Sequence, residues 1–132
     1  MARITFLVSE VSMDTVPDGA QWREMDERER GILNRLLAVD FPGRDELRSQ
    51  LEGAVVSGAD ANGSLRLKAS GGRAATGKAV PIDASAEDED GARVEVLLFV
   101  RDGMLDFLEV YRADLQPLRH PVSAECLRVP AW

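Results

Sequence analysis

Apolar positions fall into two different rhythms, one on each side of residue 53. Between residues 26 and 39, Ile32, Leu33, Leu36 and Leu37 recur at i, i+1, i+4 and i+5, which places them on one stripe of a helix. Asp26 precedes Glu29 by three residues, the spacing of a capping box, so the helix is expected to start at Asp26. The run Asp40-Phe41-Pro42-Gly43 ends it, because Pro42 lacks a donor and disfavours helical backbone at Phe41. A second helix is predicted over 44–51, with Leu47 and Leu51 one turn apart and Gly53 as its C-cap.

From Ala54 the period drops to two. Asn62-Gly63, the strongest short hairpin signal, separates residues 54–61 from 64–69, where Leu65, Leu67 and Ala69 face opposite to Arg66 and Lys68. Residues 70–77 read as a flexible Gly-rich loop. Val80, Ile82, Ala84 and Ala86 alternate with Pro81, Asp83, Ser85 and Glu87, and Pro81 assigns this strand to an edge or to its own first residue. A turn at 87–91 leads into residues 93–100, apolar on both faces towards their end, and the tight turn at 101–103 leads into a last strand over 104–112. Leu33, Leu36, Val96 and Leu98 are expected in one core.

The predicted architecture is α+β: two N-terminal helices packed on an antiparallel meander of four or five strands. Its parts are an arm or short strand over 1–22, a helical part over 23–53, the meander over 54–112 and an irregular tail over 113–132. Within the first part, residues 3–11 read as a strand or extended arm and 14–20 as a turn; within the last, 126–129 read as a short strand. The length of 132 residues suits one domain.

Composition narrows the chemistry. With one Cys (Cys126) and one His (His120), neither a disulfide framework nor a multi-cysteine zinc site can be built, and a His/Cys metal centre is close to excluded. A net charge of −7 and a pI near 4.7 argue against a nucleic-acid binder. No apolar stretch approaches the roughly 20 residues that span a bilayer, and residues 4–8 are too short for a signal-peptide core, so the chain is expected in the cytoplasm. Aromatic residues make up only 5%, so Leu, Val, Ile and Ala must fill the core.

Individual motifs are weak. Residues 72–79 fit the first part of a phosphate-binding loop, but Ala79 stands where Ser or Thr should hold magnesium, and a strand follows instead of a helix. Setting Gly91 as the sixth residue of a calcium loop puts Ala86 and Leu97 at its essential ligand positions, which excludes an EF-hand. Asn62-Gly63-Ser64 fits a glycosylation acceptor but reads as a turn. His120 has no orienting partner nearby, and Cys126 reads as a buried, inert thiol. No catalytic, cofactor-binding or metal residue is assigned. What stands out is charge: residues 62–82 carry Arg66, Lys68, Arg73 and Lys78 without an acid, whereas 83–95 carry six acids against one Arg. Cross-strand pairing would account for this by fixing register; an acidic face steering a basic partner is the functional account.

The stretches ERERGILNRLLAVDFPGRDELRSQLEGA, PIDASAEDEDGARVEVLLFV and DGMLDFLEVYRADLQPL, with the Asn-Gly hairpin, resemble a family of small acidic bacterial proteins of unknown function over about residues 23–120. Its motifs, D-F-P-G-R-D-E-L at 40–47 and D-G-x-L-x-x-L-E-V-Y at 102–111, are structural punctuation. The second is also similar to strands of immunity proteins from bacterial toxin systems. The resemblance carries no catalytic residues across. Together these readings predict a non-catalytic protein-binding module, immunity-like or inhibitory, with Asp83, Glu87, Asp88, Glu89 and Asp90 as its candidate partner surface and a basic protein as its partner. The alternatives are a small carboxylate-dependent enzyme and a homodimeric structural subunit. No cofactor, nucleic acid or membrane is expected.

Overall fold

The computed structural model describes residues 21–132. The strand or arm read over 3–11 and the turn over 14–20 lie outside them. A short strand, β1 (Arg23–Glu24), opens the described chain and is followed by α1 (Glu27–Leu36) and α2 (Arg44–Leu51). Asp26 caps α1 as expected: its carboxylate accepts from the Glu29 N–H at 2.8 Å, and Glu29 accepts from the Asp26 N–H at 2.9 Å. Glu29 is buried and is also gripped by both Nη atoms of Arg23 at 2.7 Å, which ties the start of the helix to β1. The Arg23 bond holds the Glu29 carboxyl below its usual range against the opposing effect of burial. The helix ends at Leu36, earlier than the periodicity suggests. The guanidinium of Arg44 takes the carbonyls of Leu37 and Ala38 there, so those orphan acceptors are satisfied without another helical turn.

Helix α2 spans the predicted residues. It opens at Gly43, whose φ of 90° disfavours any side chain and whose neighbours, Thr76 and Ala74, would crowd a β-carbon at 3.0 and 3.1 Å. Glu52, not Gly53, forms its C-cap.

Strands β2 (Val55–Gly58), β3 (Leu65–Lys68), β4 (Ile82–Glu87), β5 (Arg93–Arg101) and β6 (Met104–Arg112) complete, among the described residues, a six-stranded antiparallel sheet in the order β1-β2-β3-β6-β5-β4. Two features of the predicted meander are corrected. There are six strands, because β1 pairs with β2, and the helices follow a strand instead of leading. The order also departs from a meander: β6 folds back onto β3 through Leu65↔Leu108, so residues 69–81 carry the chain from β3 to the far edge. The long strands β5 and β6 take the centre. Strand β4, which starts directly after Pro81 and carries Asp83 and Glu87, lies at the edge, so both positions that the proline allowed are met.

The turn at Asn62-Gly63 is longer than two residues. Gly58 pairs with Leu65, and Asp60 Oδ1 accepts from the N–H groups of Asn62 and Ser64, so a local side-chain acceptor organises a wider loop. The Asp102-Gly103 turn is the tight one, with both residues at positive φ between Arg101 and Met104. In the tail, 124–126 form a short 3-10 helix, and the predicted strand is reduced to a single bridge between Arg128 and Ser85.

One face of the sheet is the core face. Val94, Val96, Leu98, Leu105, Leu108 and Val110 meet Ile32, Leu33, Leu36, Leu37 and Leu47 of the helical part in one buried cluster, which includes all four residues expected there. The Gly-rich loop is fastened, contrary to the expectation of flexibility. Buried Gln50 donates from Nε2 to the carbonyls of Gly72 and Gly103, both at 2.8 Å, and accepts from the Leu105 N–H at 2.9 Å. Ala74 N–H bonds Gly103 O at 2.9 Å, so close that a β-carbon on residue 103 would lie 2.7 Å from the Ala74 carbonyl oxygen.

Two stability predictions follow from this packing. Asp26→Ala should destabilise by about 0.5 to 2 kcal/mol, read by denaturant unfolding; an unchanged midpoint would refute the cap. Gln50→Leu keeps a similar volume but takes a partner from the Gly72 carbonyl and the Leu105 N–H, while the Gly103 carbonyl keeps Ala74 N–H; at about 1 to 3 kcal/mol for each group left unsatisfied, its cost should exceed that of the cap variant.

Candidate functional site

The parity of β6 sets up the most distinctive polar cluster. Leu108 and Val110 point into the core, and Arg112, two residues further on the same face and opposite Val94, is itself buried. A guanidinium there must be met by carboxylates, since an unpaired buried charge is prohibitively costly. Nη1 meets Asp88 Oδ2 at 3.1 Å and Asp90 Oδ2 at 3.0 Å; Nε and Nη2 form a two-pronged bond with Asp114 at 3.0 and 2.6 Å. Arg119 Nε adds a second cation 3.5 Å from Asp90. Asp88 also receives the backbone N–H groups of Arg119 at 2.7 Å and His120 at 3.0 Å, which pins the tail against the β4–β5 tip.

These contacts set the protonation equilibria. The Asp114 bond, opposed by burial and reinforced by Asp90 and Asp88, raises the pKa of Arg112. The same bond, with the Gln116 N–H, holds Asp114 down at about 2. Burial would raise Asp88, but the N–H groups of Arg119 and Glu89, the Arg112 guanidinium and the His120 N–H outweigh it and leave the carboxyl below its usual range. The Ala92 N–H and Arg112 likewise lower Asp90 against some burial.

The five acids named from the sequence therefore divide. Asp83, Glu87 and Glu89 are exposed, along edge strand β4 and its tip. Asp88 is buried and cannot form part of a partner surface; most of the Asp90 side chain is covered by the same ion pairs. The excess of acid at the tip thus has an internal reason, the cationic charge of Arg112 and Arg119. Glu87 reaches Arg128 of the tail at 3.3 Å. The missed residue is Arg112. Its signal lay in the alternation Leu108, Val110, Arg112, which aims an arginine at the core, with Asp114 two residues on.

Strands β5 and β6 carry a second set of side chains on the sheet face away from the helices. Leu97, Phe99, Phe107 and Tyr111 are half-buried there, with Phe99 and Phe107 edge to face at 6.4 Å between centroids. In register, Asp83 lies opposite Leu97, Leu97 opposite Glu109, and Glu95 opposite Tyr111. Burial, then Glu109, Glu95 and Asp83, push the Tyr111 hydroxyl above its ordinary pKa. Arg93 is paired with Glu95 at 2.5 Å.

Cys126 is exposed, not buried as its neighbours suggested, and accepts from Ser123 Oγ at 3.4 Å. The His120 ring is exposed, with Nδ1 3.0 Å from the Pro121 carbonyl. Among the described residues no group of three or more His, Cys, Asp or Glu side chains is placed to hold a metal, and no helix is long and apolar enough to cross a membrane.

The model of a family described as a domain of unknown function, DUF6984, matches residues 22–121. That span holds both helices, all six described strands and the whole Arg112 cluster, and it stops short of the 3-10 helix. No curated protein and no solved structure matches the chain.

The Arg112 cluster has a defined pH dependence. Carboxyls whose folded pKa is depressed stabilise above their unfolded pKa of about 3.9, and that contribution is lost as pH falls through the folded value, about 2 for Asp114. Arg112→Gln should lower the melting temperature at pH 7, and the gap to wild type should narrow between pH 5 and pH 2. A gap that stays constant over thermal melts across this range would refute the assignment.

Proposed function

The chain belongs to this family of unknown function, and we propose that it is a non-catalytic protein-binding module whose acidic surface meets a basic protein. The observation that carries the reading is the outward placement of Asp83, Glu87 and Glu89 on one edge strand and its tip, while the acids beside them serve Arg112 and Arg119. Carboxylates so placed give a directional negative field, and such a field acts mainly on the rate of encounter with a cationic partner. The neighbouring sheet face supports the same reading: Leu97, Phe99 and Tyr111 offer apolar and aromatic contact between Asp83, Glu95 and Glu109. An inhibitory role of the immunity type, implied by the resemblance of residues 102–111, fits a module that occupies a basic surface without altering it chemically.

The test uses the exposed acids alone and spares Asp88 and Asp90. A basic protein retained on the immobilised chain from the source cell's lysate is compared for association with wild type and with the Asp83→Ser, Glu87→Ser, Glu89→Ser triple variant. The triple variant should melt as wild type does and associate more slowly at low salt. The difference should shrink as salt rises, because exposed charges are screened within about 10 Å at 0.1 M. Equal association rates at low salt would remove the acidic surface from recognition.

A further inference from the structure

The sheet face turned away from the helices carries its side chains in an order. Going outward from the β1 side, the register sets Arg66 of β3 beside Phe107 of β6, Phe107 beside Phe99 of β5, and Leu97 of β5 beside Asp83 on edge strand β4. The face therefore runs from base, through an aromatic and apolar strip, to acid. Asp83 is exposed at its far side. At its near side, Arg66 Nη1 reaches the Gly58 carbonyl at 3.4 Å, while Arg66 Nε is buried and has no acceptor. A buried donor left unpaired is costly, so this one calls for an acceptor from outside the sheet. The helices, and the tail through Val122 and Leu127, belong to the cluster on the other face. No described helix covers Phe99 and Phe107, and an uncovered apolar strip marks a contact site.

The chain enters the sheet on this same side. Glu24 stands opposite Val55 and Val55 opposite Lys68, so all three share the outer face. Trp22, two residues before Glu24, has Lys68 Nζ 5.4 Å from its ring centroid. Read back from Trp22, the sequence offers Glu10, then Val8, Phe6 and Ile4 on one side of an extended segment, then Arg3. Acid, apolar and base, in that direction, is the complement of the face.

The lengths agree. The stretch between Glu10 and Trp22 can reach up to about 40 Å, whereas β1 and β3 are about 10 Å apart. Fully extended, Arg3 to Glu10 spans about 23 Å, and β3 to β4 is about 14 Å, so an oblique crossing brings both charges to their counterparts.

We infer that the occupant of this face is the chain's own segment 3–11, lying across Phe107 and Phe99 with Glu10 towards Arg66 and Arg3 towards Asp83. This goes beyond the protein-binding reading: a partner that uses Leu97, Phe99 and Tyr111 must displace the segment.

The test replaces Phe6 of the full chain with benzoylphenylalanine, an aromatic for an aromatic, and irradiates the purified protein at low concentration. Mass mapping should find an adduct within one chain, on residues 95–111. Arg3→Glu in the same background should cut the yield of that adduct, and adding Asp83→Arg should restore it, while thermal melts show the sheet still folded. The restoration separates a directed contact from a damaged fold. The inference is overturned by the absence of an intramolecular adduct, by an adduct on the helices, or by a yield indifferent to both charge reversals. An adduct that joins two copies of the chain also overturns it and makes the face a homodimer interface.

Discussion

An arginine on the buried face of a sheet is a demand that the rest of the chain must answer. Arg112 extends the line of Leu108 and Val110, and only 5% of its side chain reaches solvent, so its charge cannot be left to water. Three carboxylates meet it, from the β4–β5 tip and from the turn after β6. Buried ion pairs add little net stability over apolar replacements of similar volume, because desolvation offsets attraction. What they do here is geometric. The planar fork of the guanidinium accepts partners only in set directions, and those directions fix the hairpin tip, the turn at Asp114 and, through Asp88, the path of the tail.

The opposite end of the sheet is closed by a neutral counterpart. Gln50 gives both halves of its amide to backbone groups around the Asp102-Gly103 turn and the Gly-rich loop, and back at the Arg112 end Ser64 takes both polar groups of Val110 through a single hydroxyl. Each of these side chains is buried. The Leu- and Val-rich middle of the sheet supplies the burial, and the polar staples at its ends specify where loops attach. That division suits a chain with few aromatic residues: small aliphatic side chains pack densely but say little about direction.

The parts of this fold that were legible in the sequence are those governed by neighbours within four residues. The Asp26–Glu29 box, the extent of α2, the edge or strand-start position read from Pro81 and the Asp-Gly turn all follow from local backbone chemistry. The sheet order was not legible, because the return of β6 to β3 depends on contacts between residues more than forty apart, such as Ser64 with Val110. The Asn62-Gly63 turn was misjudged because Asp60 outcompeted the two-residue hairpin. The acidic tip was read as an external feature because charge runs usually face solvent, and the arginine that draws Asp88 inward lies twenty-four residues away.

Removing the internally used acids sharpens the surface that remains. Of the acids between 83 and 95, Asp88 and Asp90 belong to Arg112 and Arg119, and Glu95 to Arg93, which leaves Asp83, Glu87 and Glu89 to project outward. Glu87 shares Arg128 across exposed side chains, a contact of the kind that contributes little. Exposed charges of this sort govern how fast a partner arrives, and an apolar group seated in a pocket governs how long it stays. Arg112 holds the tip through Asp88 and Asp90 and the turn after β6 through Asp114. The cluster that answers a burial problem inside the sheet thereby decides which acids of the tip are left to face outward.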